Sequence, residues 1–230
     1  APVHFNLAVV LAQQIATYLC PSDNAQGRRL YLNDDADGAF SRSNYATCFG
    51  PEYMYPLGVR PPTQGGYFRP DHELENGGAF RFEVARRIPD FVDGTSKTVM
   101  VSELRAGQDD NRSPPVKRIP YADIRGNWAF AFVGSHYEHH QTPNSSVPDG
   151  MRSTWCDEGI PGYFDPHPCM VVGSDRSSGV IDSDILQRLV ARNYHPGGVN
   201  CLFVDGHVQF CADDVDFQSW QALSTIDGAK

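Results

Sequence analysis

The stretch Tyr194–Cys211, YHPGGVNCLFVDGHVQFC, decides how the chain folds. Val199–Val204 is one run of strand formers and His207–Cys211 is another. Asp205-Gly206 stands between them. This dipeptide readily takes the positive φ angles of a type I′ turn, so a β-hairpin with a two-residue turn is predicted. Pro196-Gly197-Gly198 bends the chain just ahead of the first strand. In that ideal hairpin Cys201 faces Phe210 and Cys211 faces Asn200. The two cysteines then point to opposite sheet faces unless a bulge intervenes.

Working outward, Lys97–Leu104 (KTVMVSEL) reads as a central strand, with Glu103 near its exit and facing water. Ile88–Ser96 ahead of it is a turn. Phe80–Val84 alternates as a half-buried strand. Arg125–Val133 is a further strand whose Trp128, Phe130 and Phe132 share one face, a core pattern. Three helices are expected. Phe5–Tyr18 places Leu7, Val10, Leu11 and Ile15 on one face and stops before Pro21. Ile181–Arg192 does the same with Ile181, Ile185, Leu186 and Leu189. A short last helix carries Phe217, Trp220 and Leu223, capped by Asp213-Asp214.

The chain has 230 residues with 21 Gly and 17 Pro, which favours turns and short strands over long helices. Its 13 Phe, 10 Tyr and 3 Trp supply core material, so a single domain over residues 1–230 is expected, with a loop-rich insertion at 136–180. The net charge of −9 argues against nucleic acid, whose phosphates need clustered Lys and Arg. No run approaches the roughly 20 apolar residues of a bilayer span, so no membrane span is expected in these residues. No signal peptide is visible either.

The six cysteines, Cys20, Cys48, Cys156, Cys169, Cys201 and Cys211, suggest an oxidising location and are all disulfide candidates, with buried free thiols as the alternative. Cys20 with Cys48, and Cys156 with Cys169, each close a modest loop and are the favoured pairs. Without a CxxC spacing, a metal site shared among cysteines is not expected. Asp34, Asp35 and Asp37, ahead of Gly38, have the alternate spacing that lets carboxylates turn towards calcium, although an exposed acidic turn is the plainer reading. No cofactor is otherwise required. His136, His139 and His140 offer imidazoles suited to zinc or copper, against the plainer reading of solvent-facing loop histidines. Asn144 and Asn111 begin Asn-x-Ser triplets and are glycosylation candidates. No nucleophile elbow, HExxH or phosphate-binding glycine loop occurs. His195 and Asp205 would lie about 30 Å apart along a straight strand. Their expected roles are structural: His195 ties a loop to the sheet, and Asp205 accepts backbone N–H groups in its turn.

His195, nine residues, then Asp205-Gly206 resembles the H-x9-DG signature of a bacterial pilin-like (pseudopilin-like) domain of unknown function that normally follows a prepilin-type signal. Four further pieces match in order: Cys20-Pro21-Ser22-Asp23, Ser43-Asn44-Tyr45, Ile88–Glu103 around Asp93-Gly94-Thr95-Ser96, and Trp220–Leu223 with Asp227-Gly228. The resemblance implies an α+β fold, an N-terminal helix packed on a mainly antiparallel β-sheet with long loop-rich insertions. It implies a glutamate at the Glu103 position, there to meet a backbone N–H or a cation, and a hydrophobic helix with a short leader ahead of the region where this chain opens, Ala1-Pro2-Val3. The function to expect is a non-catalytic, self-associating subunit of an extracellular or cell-surface filament. The alternative is a secreted glycan-binding module, with or without calcium.

Overall fold

The structure is a computed structural model. It describes residues 10–23, 29–31, 39–51, 77–81, 85–107, 123, 125–128, 134–151, 169–171 and 188–228. Nine strands run through them: β1 (Arg29–Tyr31), β2 (Ala39–Ser41), β3 (Tyr45–Cys48), β4 (Val99–Glu103), β5 (His136–Tyr137), β6 (Asp149–Met151), β7 (Cys169–Val171), β8 (Gly198–Phe203) and β9 (Val208–Ala212). The central sheet has five strands in the order β5-β3-β4-β8-β9. It is mixed, because β5 runs parallel to β3 while the other neighbours are antiparallel. The pairs β1–β2 and β6–β7 stand apart from it.

Tyr194–Cys211 does form a hairpin, but its turn differs from the predicted one. Gly206 has φ 93°, and Asp205 is not among the positive-φ residues, so the turn is not type I′. Gly206 N donates to Phe203 O at 2.9 Å and Phe203 N donates to His207 O at 2.9 Å. This is a three-residue loop, a type I turn closed by a left-handed glycine. The extra residue slips the register by one. Cys201 now pairs with Gln209 and Val199 with Cys211, so both cysteines lie diagonally on one face. Gly206→Ala should cost about 1–2 kcal/mol, since a left-handed backbone strains any side chain and an added Cβ meets nothing within 4 Å. Urea unfolding checks this; an unchanged midpoint would overturn the turn geometry.

A second irregularity sets the two faces of the sheet. Between Val99↔Phe203 and Val101↔Leu202 the register of β4 shifts, a bulge at Met100. Val99 and Ser102 thereby share the inner face. With them sit Ala46, Cys48, Tyr137, Val199, Cys201, Phe203 and Cys211, which form the core with Leu189, Ala191 and Trp220. Glu103, paired with Tyr45, falls on the outer face. Glu103 is nevertheless only 2% exposed, so its expected place in water is overturned.

Among the described residues, the expected N-terminal helix packed on the sheet is not there. Residues 5–9 lie outside the described residues. Val10 and Leu11 are helical, the chain turns at Ala12, and one 3-10 turn follows at Ala16–Tyr18. Val10 is 54% exposed rather than packed in the core. The backbone is instead used sideways: Ser41 Oγ donates to Ala12 O at 2.7 Å, and Asn44 N donates to Tyr18 O at 2.7 Å. A helix of this length is marginal in water without tertiary support, so these lateral partners win. The fold is therefore sheet and loops rather than helix on sheet. The one α-helix wholly within the described residues is α1 (Phe217–Ala222), capped by Asp216, whose Oδ1 accepts Ser219 N at 2.8 Å.

The helix predicted at Ile181–Arg192 is also corrected. Residues 181–187 lie outside the described residues, and 188–193 is extended. Leu189, Val190, Ala191 and Arg192 are all fully buried in succession, which a helical face does not allow. Their backbone is satisfied by partners distant in sequence: Leu189 N donates to Glu138 Oε2, Val190 N to Asp149 Oδ1 and Arg192 N to Glu103 O. Of the strand predicted at Arg125–Val133, the part from 125 to 128 is turn with a single bridge from Asn127 to Arg42. Phe130 and Phe132 lie outside the described residues.

Candidate functional site

The segments singled out in the sequence fall into two clusters, one at each end of β4 and β8. At one end, Asp205 follows β8. Val204 N donates to Thr98 O and Asp205 N to Thr95 O, which seats the hairpin turn on the Asp93-Gly94-Thr95-Ser96 turn. Asp205 Oδ1 accepts His207 N at 3.1 Å and His207 Nδ1 at 2.6 Å. Asp93 Oδ2 accepts Thr225 Oγ1 at 3.1 Å and also Gly228 N, drawing in the closing motif. The pattern is a clasp made of turns.

The other end holds a denser cluster. Glu103 closes β4 with its carboxylate turned to the outer face. Oε2 accepts Asn200 N at 2.7 Å and Asn193 Nδ2 at 2.8 Å. Oε1 meets His195 Nε2 at 3.0 Å and Cys20 Sγ at 3.8 Å. Asn193 Nδ2 also lies 2.9 Å from His195 Nε2. Burial pushes the Glu103 carboxyl up. The Asn200 N–H, His195 and the Asn193 and Asn200 amides outweigh it and hold the group below its usual value. Burial raises the Tyr45 hydroxyl, and the nearby Cys20 and Glu103 raise it further.

Cys20 is placed by its own backbone. Cys20 N donates to Asn44 Oδ1 at 2.9 Å, and Asn44 Nδ2 donates to Asp23 Oδ2 at 2.6 Å. Asp23 Oδ2 also accepts Ala106 N at 3.3 Å. Pro21 and Ser22 between them make the turn that lets Cys20 and Asp23 reach the same asparagine. The ligand-type atoms of Cys20, Glu103 and His195 lie within 4.8 Å of one another. His195 keeps 23% of its side chain exposed while Glu103 keeps 2%, so the cluster opens to solvent on the histidine side. His195 and Asp205 serve different clusters and do not meet.

The remaining candidates lie elsewhere. Asp34, Asp35, Asp37, Asn111 and Cys156 are outside the described residues. Cys20, Cys48, Cys201 and Cys211 are free thiols, and Cys169 is disulfide-bonded. The Cys20–Cys48 bond is not formed, because Cys20 turns to Glu103 while Cys48 points into the core against Tyr137. Burial pushes Cys48 up to about 12. Cys201 donates to Ser102 Oγ at 3.5 Å; contact with Cys211 and burial raise its thiol well above the usual range. Asn144 is held by its side chain. Its Nδ2 donates to Asp213 Oδ1 at 2.8 Å and its Oδ1 accepts Asn193 N at 2.9 Å.

The histidine cluster does not face solvent as read from sequence. His136 and His139 are buried. His139 stacks on Trp220 with ring centroids 3.5 Å apart, and its Nδ1 is 2.6 Å from Trp220 O. Burial lowers it to about 3, so it stays neutral, a core aromatic rather than a ligand. His136 Nδ1 lies 3.0 Å from Thr47 Oγ1. The grouping that sequence reasoning missed is Cys20, Glu103 and His195. The available signal was that each sits in a separate matched motif, and only the fold shows that those motifs touch.

Over residues 4–218 the chain matches the family described as "Protein of unknown function (DUF1559)". It belongs to that family. No curated protein and no solved structure matches the chain. The match takes in the whole of the cluster at Glu103 and ends within α1, ahead of the Thr225 and Gly228 that close the other one. Among the described residues, no helix is long and apolar enough to cross a membrane.

Proposed function

We propose that the chain is the globular part of a pilin-like structural subunit, exported and self-associating in an extracellular or cell-surface assembly. The observation that carries this reading is the outer face of the sheet. Val101 pairs with Leu202 and Leu202 with Val208, so these three side chains form one continuous row over β4, β8 and β9. Val208 is 64% exposed, and Phe210 beside it on β9 is 49% exposed. Among the described residues β9 has no neighbour on its far side, so the row ends at an open strand edge. An apolar row at an open edge is a template for pairing with another copy. The family membership and the motif-built clasps, which rigidify both ends of the sheet, suit a subunit that must hold its shape.

Electron microscopy of the protein from its native source tests the reading, with ordered filaments as the expected result. Val208→Lys should abolish them, since a charge on an edge strand blocks pairing. Its own stability should change by no more than about 0.5 kcal/mol at so exposed a position. Filaments unaffected by the substitution would remove the outer face from the interface. Dispersed single particles from the native source would overturn the subunit reading and leave the glycan-binding module to be tested by glycan array.

A further inference from the structure

We propose that Cys20 Sγ, Glu103 Oε1 and His195 Nε2 form a binding site for a divalent transition-metal ion, with zinc the best fit, whose remaining position faces solvent. The proposal stands apart from the assembly reading and rests on the geometry of the cluster.

Zinc takes a thiolate, an imidazole and a carboxylate at roughly 2.0–2.3 Å, which places tetrahedral donors about 3–4 Å apart. Two edges of the donor triangle already have that length: Sγ to Oε1 is 3.8 Å and Nε2 to Oε1 is 3.0 Å. The third is no longer than 4.8 Å, within reach of a small rotation of the partly exposed imidazole. The donor types also match. A soft thiolate with an imidazole selects zinc or copper over calcium or magnesium, which need all-oxygen shells. One thiolate and one carboxylate together neutralise a doubly charged cation, which matters at a site as dry as this one.

The strongest support is how the carboxylate is held. Metal-ligating carboxylates are oriented by hydrogen bonds to their other oxygen. Here Asn200 N and Asn193 Nδ2 both anchor Oε2, while Oε1, which takes only a longer bond from Asn200 Nδ2 at 3.3 Å, is aimed at Cys20 and His195. Cys20 is likewise fixed from behind by the Asn44–Asp23 pair. Asn44 also donates to Leu104 O at 3.3 Å, tying that support to the strand end that carries Glu103. Each donor therefore comes from a different stretch of chain, and Cys20 and Glu103 are each positioned by a neighbour that is not itself a donor. The cluster opens only beside His195, where Phe210 tilts over the ring at 6.2 Å. That is the side on which a water or an external ligand completes the coordination.

The test uses the full chain, stripped with a chelator under reducing conditions and titrated with zinc alone by calorimetry. One zinc per chain is the expected result. Cys20→Ser and His195→Gln should each weaken binding by at least roughly a hundredfold, because losing a ligand costs no less than losing its support. His207→Gln, an exposed histidine outside the cluster, should bind as the unaltered protein does. If either ligand variant fails to fold, the unaltered protein still decides the matter through cobalt. Cobalt bound here should show thiolate-to-metal charge-transfer absorption and a tetrahedral visible spectrum. No zinc uptake, uptake that survives both ligand substitutions, or a cobalt spectrum without the thiolate band would each overturn the proposal.

Discussion

Asp149→Ala is expected to destabilise the fold by about 3–5 kcal/mol, the cost of leaving a buried charge without its partner. Asp149 is fully buried. Its Oδ2 accepts Arg125 Nη1 at 2.9 Å, while Oδ1 accepts Val190 N at 3.0 Å and lies 3.4 Å from Arg192 Nη2. Arg125 and Arg192 are themselves at most 1% exposed. Arg125 retains Asp123, with Nη2 to Oδ2 at 2.8 Å. Arg192 would keep the carbonyls of Ser145 and Val147. For a chain of this size the loss corresponds to a fall in Tm of about 10 °C. Combining Asp149→Ala with Arg192→Met should recover part of it, since the buried cation is removed together with the carboxylate that faces it. A single-variant loss under about 1 kcal/mol would mean that solvent reaches the network.

Glu103→Gln ranks second, at about 2–4 kcal/mol. The glutamine amide would set a donor against the Asn193 and Asn200 donors that the carboxylate now satisfies, and the charge that strengthens those bonds would be gone. The effect should depend on pH with a definite sign. The folded carboxyl is held below its usual 4.5, so it contributes stability above that value. The contribution is lost as pH falls through the lower, folded value. Urea midpoints of the two proteins should therefore differ most near neutral pH and converge on acidification well below pH 4.5. A gap that stays constant across that range would remove the ionised carboxylate as the cause.

Much of the strand content was legible. Lys97–Leu104 and Tyr194–Cys211 carry apolar residues with β-branched character, and both are strands of the central sheet. The short last helix was legible too, because Trp220 and its neighbours repeat at helical spacing, although its cap is Asp216 rather than Asp213-Asp214. Periodicity failed where the surroundings were not those of a surface element. Leu189 to Arg192 has a helical-looking pattern but is buried on every side, so the pattern carried no facing information. His136 and His139 looked like polar loop residues, yet inside the core Phe49 and Thr47 partner His136, and Trp220 and Tyr137 partner His139.

The sequence by itself determined that β8 and β9 form a hairpin around Gly206, because strand propensity and a glycine turn act over a few neighbouring residues. It also marked the motif residues Cys20, Asn44, Glu103 and His195 as separate signals. Only the tertiary structure decided the hairpin's register, the face on which Glu103 lies and the meeting of those residues at one strand end. One extra loop residue and one bulge at Met100 each reverse which side every following side chain faces. Such reversals are chosen by packing across the whole sheet. Contacts between residues 20, 103 and 195 depend on loop closures that no local pattern encodes.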